Sequence, residues 1–132
     1  MTRLMTEDIR THGEVTQGPM KGQPLMLLTT TGARSGEPRT SIVNYTRDGD
    51  RYVIAASKGG APSNPGWYHN LVANPRVTIE TGGETFSATA TVADGAKRDE
   101  LWQRHAEQLP QFRDYPTKTT RVIPMILLER TG

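Results

Sequence analysis

The residues between Ser57 and Trp67 combine features that suit a planar, anionic ligand. Lys58 supplies a positive charge, and the glycines that follow it let the backbone approach a ligand closely. Asn64 and Pro65 are typical of the start of a helix, where free N–H groups attract anions. Trp67 adds a flat aromatic surface. We infer that this segment helps to hold a flat, anionic cofactor, although an ordinary loop and helix cap would have the same composition.

Residues 32–36, Gly-Ala-Arg-Ser-Gly, have the composition of a tight turn with exposed N–H groups. Arg34 lies within this turn and Arg39 follows it. The spacing matches neither a P-loop, which needs Gly-Lys followed by Ser or Thr, nor the three spaced glycines of a dinucleotide-binding loop. Such a turn can bind phosphate or carboxylate oxygens. The alternative is a solvated hairpin turn with two surface arginines, and the turn alone leaves both interpretations open.

The composition excludes several other kinds of chemistry. The chain has no Cys, which rules out disulfides, thiolate metal sites and Cys nucleophiles. His12, His69 and His105 lie far apart and lack the spacing of metal ligands, so no metal site is expected. A net charge of +2 is too small to indicate nucleic-acid binding. The longest apolar run, Ile126–Leu128, is far shorter than a transmembrane helix, so no integral membrane segment is expected.

The length of 132 residues predicts a single domain, 1–132, in which residues 1–20 form an N-terminal helix or arm. The absence of Cys and of an apolar leader favours the cytoplasm, with peripheral contact to a membrane left open.

The hydrophobic pattern predicts a mainly β, α+β fold of about six strands with two or three short helices. Asp48-Gly49 and Gly82-Gly83 are typical of hairpin turns, and sheets joined in this way are antiparallel. We therefore expect a closed or split antiparallel β-barrel. Pro124 places the last strand at a sheet edge or at a bulge. The strands are expected at 25–30, 39–46, 51–56, 76–80, 85–92 and 122–129, and the helices at 4–10, 64–73 and 96–109.

Three ordered blocks resemble the deazaflavin-dependent nitroreductase family, whose members use coenzyme F420. The blocks are LLTTTGARSGEPRT, YTRDGDRYVIAASKGGAPSNPGWYHNLVANPRVTI and RVIPMILL, and together they extend over most of the chain from Gly22 to Leu128. The resemblance implies an FMN-binding split-barrel-like fold. It also implies non-covalent binding of a deazaflavin whose tail carries a phosphate and several glutamates.

The resemblance further implies which residues contact the cofactor. The arginine-bearing turn would face the phosphate end of the tail, and a strand end with its following loop would line the deazaflavin ring. The start of the helix after that loop would extend the same wall. The cofactor-binding residues expected on this basis are Arg34, Ser35, Gly36, Arg39, Ala55, Ala56, Ser57, Lys58, Gly59, Gly60, Pro65, Trp67 and Asn70.

The chemistry implied by the resemblance is hydride transfer from reduced coenzyme F420 to a small electron-poor acceptor: a quinone, an α,β-unsaturated lactone or a nitroaromatic. Trp67, Phe112 and Tyr115 would line the acceptor pocket, and Tyr115, Ser57 or water would donate the proton. Similar proteins that reduce nitroimidazoles carry several tyrosines before the final strand. This sequence has Leu109 and Phe112 where such tyrosines are expected.

Two alternatives remain open from the sequence. One is an oxidoreductase that uses FMN on the same barrel. The other is a barrel that carries deazaflavin without catalysis. For a reductase that uses coenzyme F420 or FMN, the expected partner is a small-molecule acceptor rather than a nucleic acid. The sequence leaves open whether the protein is a monomer or a homodimer.

Overall fold

The computed structural model of the chain describes residues 2–16, 21–57, 64–110 and 122–131. The described residues form three helices and one sheet of seven strands. The helices are α1 (Thr2–His12), α2 (Gly66–Ala73) and α3 (Gly95–Gln108). The strands are β1 (Leu25–Thr31), β2 (Pro38–Asn44), β3 (Thr46–Asp48), β4 (Arg51–Ala55), β5 (Arg76–Thr81), β6 (Glu84–Ala93) and β7 (Met125–Arg130). The predicted fold class, mainly β and antiparallel with a few short helices, is confirmed.

The strand order, β2-β1-β5-β6-β7-β4-β3, shows that the sheet curls into a large part of a barrel. Every pair of neighbours is antiparallel. The two edge strands, β2 and β3, are separated in sequence by Tyr45 alone. The Cα atoms on either side of one residue can be at most about 7 Å apart, so the two edges of the sheet must approach each other.

Two details of the predicted sheet are wrong. The strand expected at 39–46 is interrupted at Tyr45, so the described residues contain seven strands where about six were expected. Pro124 marks neither an edge nor a bulge. It precedes β7, which is a central strand paired with β6 and β4, and its carbonyl accepts a hydrogen bond from the N–H of Ala56 at 2.9 Å. Proline lacks the N–H that a central strand must donate, and a position just before the strand avoids this loss.

Side chains along the strands alternate between the inner and the outer face of the curled sheet, with the period of two that strands impose. The inner face holds one apolar cluster, which α2 completes with Leu71. The outer face holds two clusters, one beneath α1 and one beneath α3. In β1, for example, Met26 and Leu28 belong to the inner cluster whereas Leu25 and Leu27 pack under α1.

Polar contacts fix α3 to the β3–β4 hairpin. Thr46 and His105 are both buried and are joined by a hydrogen bond of 2.9 Å between Thr46 Oγ1 and His105 Nδ1. The Asp48 carboxylate accepts hydrogen bonds from Lys97, at 2.9 Å, and from Arg104, at 3.0 Å. The hydrogen bond from Lys97 lowers the pKa of Asp48 below its usual value, although burial opposes that shift. Because all three hydrogen bonds link residues more than 45 positions apart, they fix tertiary rather than local structure.

Candidate functional site

The β1–β2 turn and the first residues of α2 face each other across two adjoining clefts. The first, called here the turn cleft, has a volume of about 560 Å³ and is lined by Gly32, Ala33, Arg34, Ser35, Arg39, Gly66, His69 and Asn70. The second, called here the strand cleft, has a volume of about 690 Å³ and is lined by Pro38, Arg39, Thr40, Ser41, Pro65, Gly66, Trp67 and Asn70. Three residues, Arg39, Gly66 and Asn70, line both clefts and therefore mark their junction.

The β1–β2 turn is closed by hydrogen bonds within itself. The N–H of Gly32 donates to the carbonyl of Glu37 at 2.8 Å, and the N–H of Gly36 donates to the carbonyl of Gly32 at 3.0 Å. The hydroxyl of Ser35 accepts the N–H of Glu37 at 3.1 Å. Gly36 has a φ of 72°, in the left-handed region that favours glycine. Of the N–H groups expected to face a ligand, those of Arg34 and Ser35 have no hydrogen-bond partner among the described residues.

Asn70 connects this turn to α2. Its Oδ1 accepts the N–H of Ala33 at 3.0 Å, and its Nδ2 donates to Thr30 Oγ1 at 3.1 Å. Asn70 was expected to be a cofactor contact. The structure gives its side chain two protein partners at the edge of both clefts.

Arg34 and Arg39 carry the positive charge of the clefts. Both are exposed, and neither has an ion-pair partner among the residues that the structure describes. Arg10, Arg51 and Arg104, by contrast, each contact a carboxylate. Within the described ranges, no carboxylate pairs with either arginine, which is compatible with both the oxyanion-binding turn and the solvated turn that the sequence leaves open.

The first turn of α2 contributes backbone N–H groups to the clefts, together with the Cα of Gly66, which carries no side chain. Pro65 is the N-cap and forms no side-chain capping hydrogen bond, so α2 begins at Gly66, two residues after the start expected at residue 64. The N–H of Tyr68 donates to the carbonyl of Pro65 at 3.1 Å, whereas those of Gly66 and Trp67 have no partner within the described part of the chain. A Cβ added to Gly66 would meet nothing within 4 Å, so the fold itself does not require glycine there.

The predicted residues after β4 lie in the interior. Ala56 is fully buried in the inner cluster, Ala55 packs under α3, and Ser57 is 7% exposed. None of the three lines either cleft. Pro65 and Trp67 do line the strand cleft, and Trp67 also packs on the inner cluster. Four more of the predicted cofactor contacts, Arg34, Ser35, Arg39 and Asn70, line the turn cleft.

Several predicted residues lie outside the described ranges, namely Lys58, Gly59, Gly60, Phe112 and Tyr115. Leu109 is described, and it is buried in the cluster beneath α3. The described residues contain no group of three or more His, Asp or Glu side chains that could hold a metal ion. Among the helices described, none is both long enough and apolar enough to cross a bilayer.

Seven residues that line the clefts are not among the expected site residues, namely Gly32, Ala33, Pro38, Thr40, Ser41, Gly66 and His69. Gly66 could have been noticed, because it falls inside the helix expected at 64–73, where glycine costs about 0.5–1 kcal/mol relative to alanine, although in the structure it is the first residue of α2. Nothing in the sequence near Thr40 indicates that it lines a cleft, since an exposed threonine on a strand is common.

Comparison with known proteins supplies the family. Residues 1–130 match the family described as F420H(2)-dependent quinone reductase. The chain belongs to this family. A protein of Mycobacterium tuberculosis (strain H37Rv) that is described as an F420H(2)-dependent quinone reductase is 43% identical over 123 residues, which cover 91% of this chain and 83% of that protein. The expected resemblance to a coenzyme F420-dependent family is therefore confirmed. The description of the matching family names quinones, rather than nitro compounds, as the acceptors.

Two solved structures share both sequence and fold with this member of the family. One, described as an F420-H2 dependent reductase, is 38% identical with a TM-score of 0.74 and covers 80% of this chain and 94% of its own. The other, described as a domain-swapped dimer, is 36% identical with a TM-score of 0.76 and covers 96% of each chain. Their identity, coverage and TM-scores support a common overall fold.

Proposed function

We propose that this chain is a reductase that uses reduced coenzyme F420 and a quinone acceptor. One observation carries the proposal: in a member of an F420H(2)-dependent family, the clefts between the β1–β2 turn and α2 present Arg34 and Arg39 without ion-pair partners among the described residues. A ligand with a phosphate and several carboxylates fits such a site, because each arginine can form charge-assisted hydrogen bonds with these groups.

The residues of the turn cleft suit the anionic tail. Arg34 and Arg39 would bind its phosphate or carboxylate oxygens, and the backbone N–H groups of Arg34 and Ser35 would donate to the same oxygens. The N–H groups of Gly66 and Trp67, at the positive end of α2, would stabilise negative charge at the junction of the clefts.

The strand cleft and its surroundings suit the ring system. Trp67 offers a flat apolar wall, and the bare Cα of Gly66 leaves room beside it. The backbone of Ala55–Ser57 and the segment Lys58–Gly60 are proposed to complete the ring site, as the resemblance implies. When bound and reduced, coenzyme F420 supplies the hydride; the protein's part is to orient the ring against the acceptor and to exclude water.

The acceptor pocket and the proton donor are also proposals. Trp67, Phe112 and Tyr115 are proposed to line the acceptor pocket, and Tyr115 or Ser57 to donate the proton to the reduced product. We propose quinones as the preferred acceptors, with α,β-unsaturated lactones and nitroaromatics as secondary ones. Leu109 supports this order, because it is buried in the core at a position where nitroimidazole-reducing relatives are expected to carry a tyrosine. We further propose that the curled sheet is a split barrel of the FMN-binding type.

A binding titration followed by a turnover assay tests the function. Purified full-length protein is titrated with coenzyme F420 while the fluorescence of the deazaflavin is followed, and oxidation of the reduced coenzyme is then measured with menadione as acceptor. We expect binding at micromolar concentrations and turnover with the quinone. An unchanged deazaflavin signal would contradict the proposal. A yellow preparation with a flavin spectrum would favour the FMN alternative, and binding without turnover would favour the carrier.

A further inference from the structure

Asn70 is the polar link between the arginine-bearing turn and α2. The turn forms its other hydrogen bonds internally, whereas the N–H of Ala33 donates to Asn70 Oδ1 at 3.0 Å. Among the hydrogen bonds of the described residues, only the one between Ala33 and Asn70 joins the turn to a helix. The turn would otherwise be an exposed hairpin end, whose position relative to the helix is set only by the strands beneath it.

Thr30 holds Asn70 in the orientation that this link requires. The amide of Asn70 donates to Thr30 Oγ1 at 3.1 Å, and Thr30 is 1% exposed. With its amide nitrogen directed at Thr30, Asn70 turns its oxygen towards the N–H of Ala33. The buried threonine therefore acts on the turn through Asn70, although it cannot itself reach a ligand in either cleft.

We infer that Asn70 is a positioning residue: it fixes the arginine-bearing turn against α2 before the ligand arrives, so that Arg34 and Arg39 are already placed for an anionic tail. This inference rests on the proposed function and changes the role expected for Asn70 from ligand contact to support. Ordering a loop in advance strengthens binding because less conformational freedom is lost when the ligand binds.

The first test needs no ligand. Hydrogen exchange of the Ala33 amide is measured by NMR in the free protein, for the wild type and for Asn70→Ala and Asn70→Asp. We expect exchange to be about tenfold faster in Asn70→Ala, the effect of one lost hydrogen bond. A carboxylate can accept from both the Ala33 N–H and the Thr30 hydroxyl, so Asn70→Asp should keep the protection. Equal exchange in Asn70→Ala and the wild type would overturn the inference.

The second test distinguishes whether Asn70 positions the turn or contacts the coenzyme directly. Affinity for coenzyme F420 is measured by fluorescence titration for Thr30→Val, Asn70→Ala and the double variant. We expect each single variant to bind about tenfold more weakly, and the double variant to bind no more weakly than Asn70→Ala, because both substitutions break the same link. At saturating coenzyme, kcat should change less than KM. If Thr30→Val binds as tightly as the wild type, Asn70 acts by direct contact and the inference fails.

Thr81→Val provides the matched control. Thr81 is also a buried threonine, 6% exposed, and its hydroxyl donates to the carbonyl of Leu25 at 3.0 Å, away from both clefts. It should lose stability without losing affinity, and the thermal midpoints of all variants are recorded so that general unfolding is recognised. If Thr81→Val weakened binding as much as Thr30→Val, the loss would be a general effect of destabilisation and would contradict the inference. Failure of the wild type to bind coenzyme F420 would contradict the proposed function, whereas the exchange test at Ala33 would still decide the role of Asn70.

Discussion

Arg39 lies directly opposite Thr30 in the β1–β2 ladder, so the charge of the clefts and the buried anchor of Asn70 are on adjacent strands. Thr30 is buried whereas Arg39 is exposed at the junction of the two clefts. The same pair of strands therefore holds Arg39 at the junction of the clefts and, through the hydrogen bond from Asn70 to Thr30, anchors the helix that forms the opposite wall.

Arg39→Ala should weaken binding of coenzyme F420 by about tenfold or more, because a hydrogen bond to a charged group is worth about 1.5–3 kcal/mol. The loss should shrink as salt rises from about 0.1 M to about 1 M, since the Debye length falls from about 10 Å to about 3 Å. Fluorescence titrations at both salt concentrations check this. Arg76→Ala is the control, since Arg76 is exposed and lines neither cleft. The same loss at low and high salt would count against contact with an anionic tail.

Gly66→Ala should separate binding from stability. Alanine is the better helix residue and its Cβ would meet nothing within 4 Å, so the free energy of unfolding should stay the same or rise by up to about 1 kcal/mol. Affinity for coenzyme F420 should fall by about tenfold, because the methyl group would occupy the junction of the two clefts. Denaturant unfolding and a fluorescence titration measure the two effects. Unchanged affinity would show that no ligand approaches this Cα.

Local signals in the sequence predicted the local parts of the structure. The hairpins at Gly49 and at Gly82-Gly83 were predictable because these glycines adopt the positive φ that tight turns require. The exposure of Arg34 and Arg39 at one end of the β1–β2 hairpin was predictable because the turn that contains Arg34 is recognisable from its own composition, whereas their contact with a ligand stays a prediction.

Relationships between distant residues were not predictable in this way. The hydrogen bond between Asn70 and Ala33 joins positions 37 residues apart, and nothing near either residue indicates the other. The position of Pro124 before a central strand depends on the pairing of β7 with both β4 and β6, which the sequence alone does not specify. The interruption at Tyr45 likewise follows from the curling of the whole sheet, which places β2 and β3 at opposite edges.

Gly13→Ala should destabilise the fold more than Gly49→Ala does. Both glycines have positive φ, 79° and 63°, so both substitutions incur the left-handed strain of about 1–2 kcal/mol. A Cβ on Gly13 would also lie 3.0 Å from backbone atoms of Gly82 and Gly83, whereas one on Gly49 would meet nothing within 4 Å. We expect the difference in unfolding free energy to be about 1–3 kcal/mol, the usual cost of overpacking. Denaturant midpoints check it, and equal losses would mean that α1 shifts away without cost.

His105 should make the fold less stable as the pH falls from neutral towards 4. Its burial lowers the pKa from 6.5 to about 4, so between these values the unfolded chain binds a proton that the folded chain does not. The stabilisation that comes from keeping His105 neutral is therefore complete above pH 6.5 and is lost progressively below it. Each pH unit between the two pKa values costs about 1.36 kcal/mol, so the loss at pH 5 is about 2 kcal/mol. His105→Gln, which keeps a polar group near Thr46 but does not titrate, should lack this loss, and titrating carboxylates contribute equally to both proteins. Denaturant unfolding of the two proteins at pH 7 and pH 5 measures the difference, and parallel losses in both would show that His105 is protonated in the folded protein.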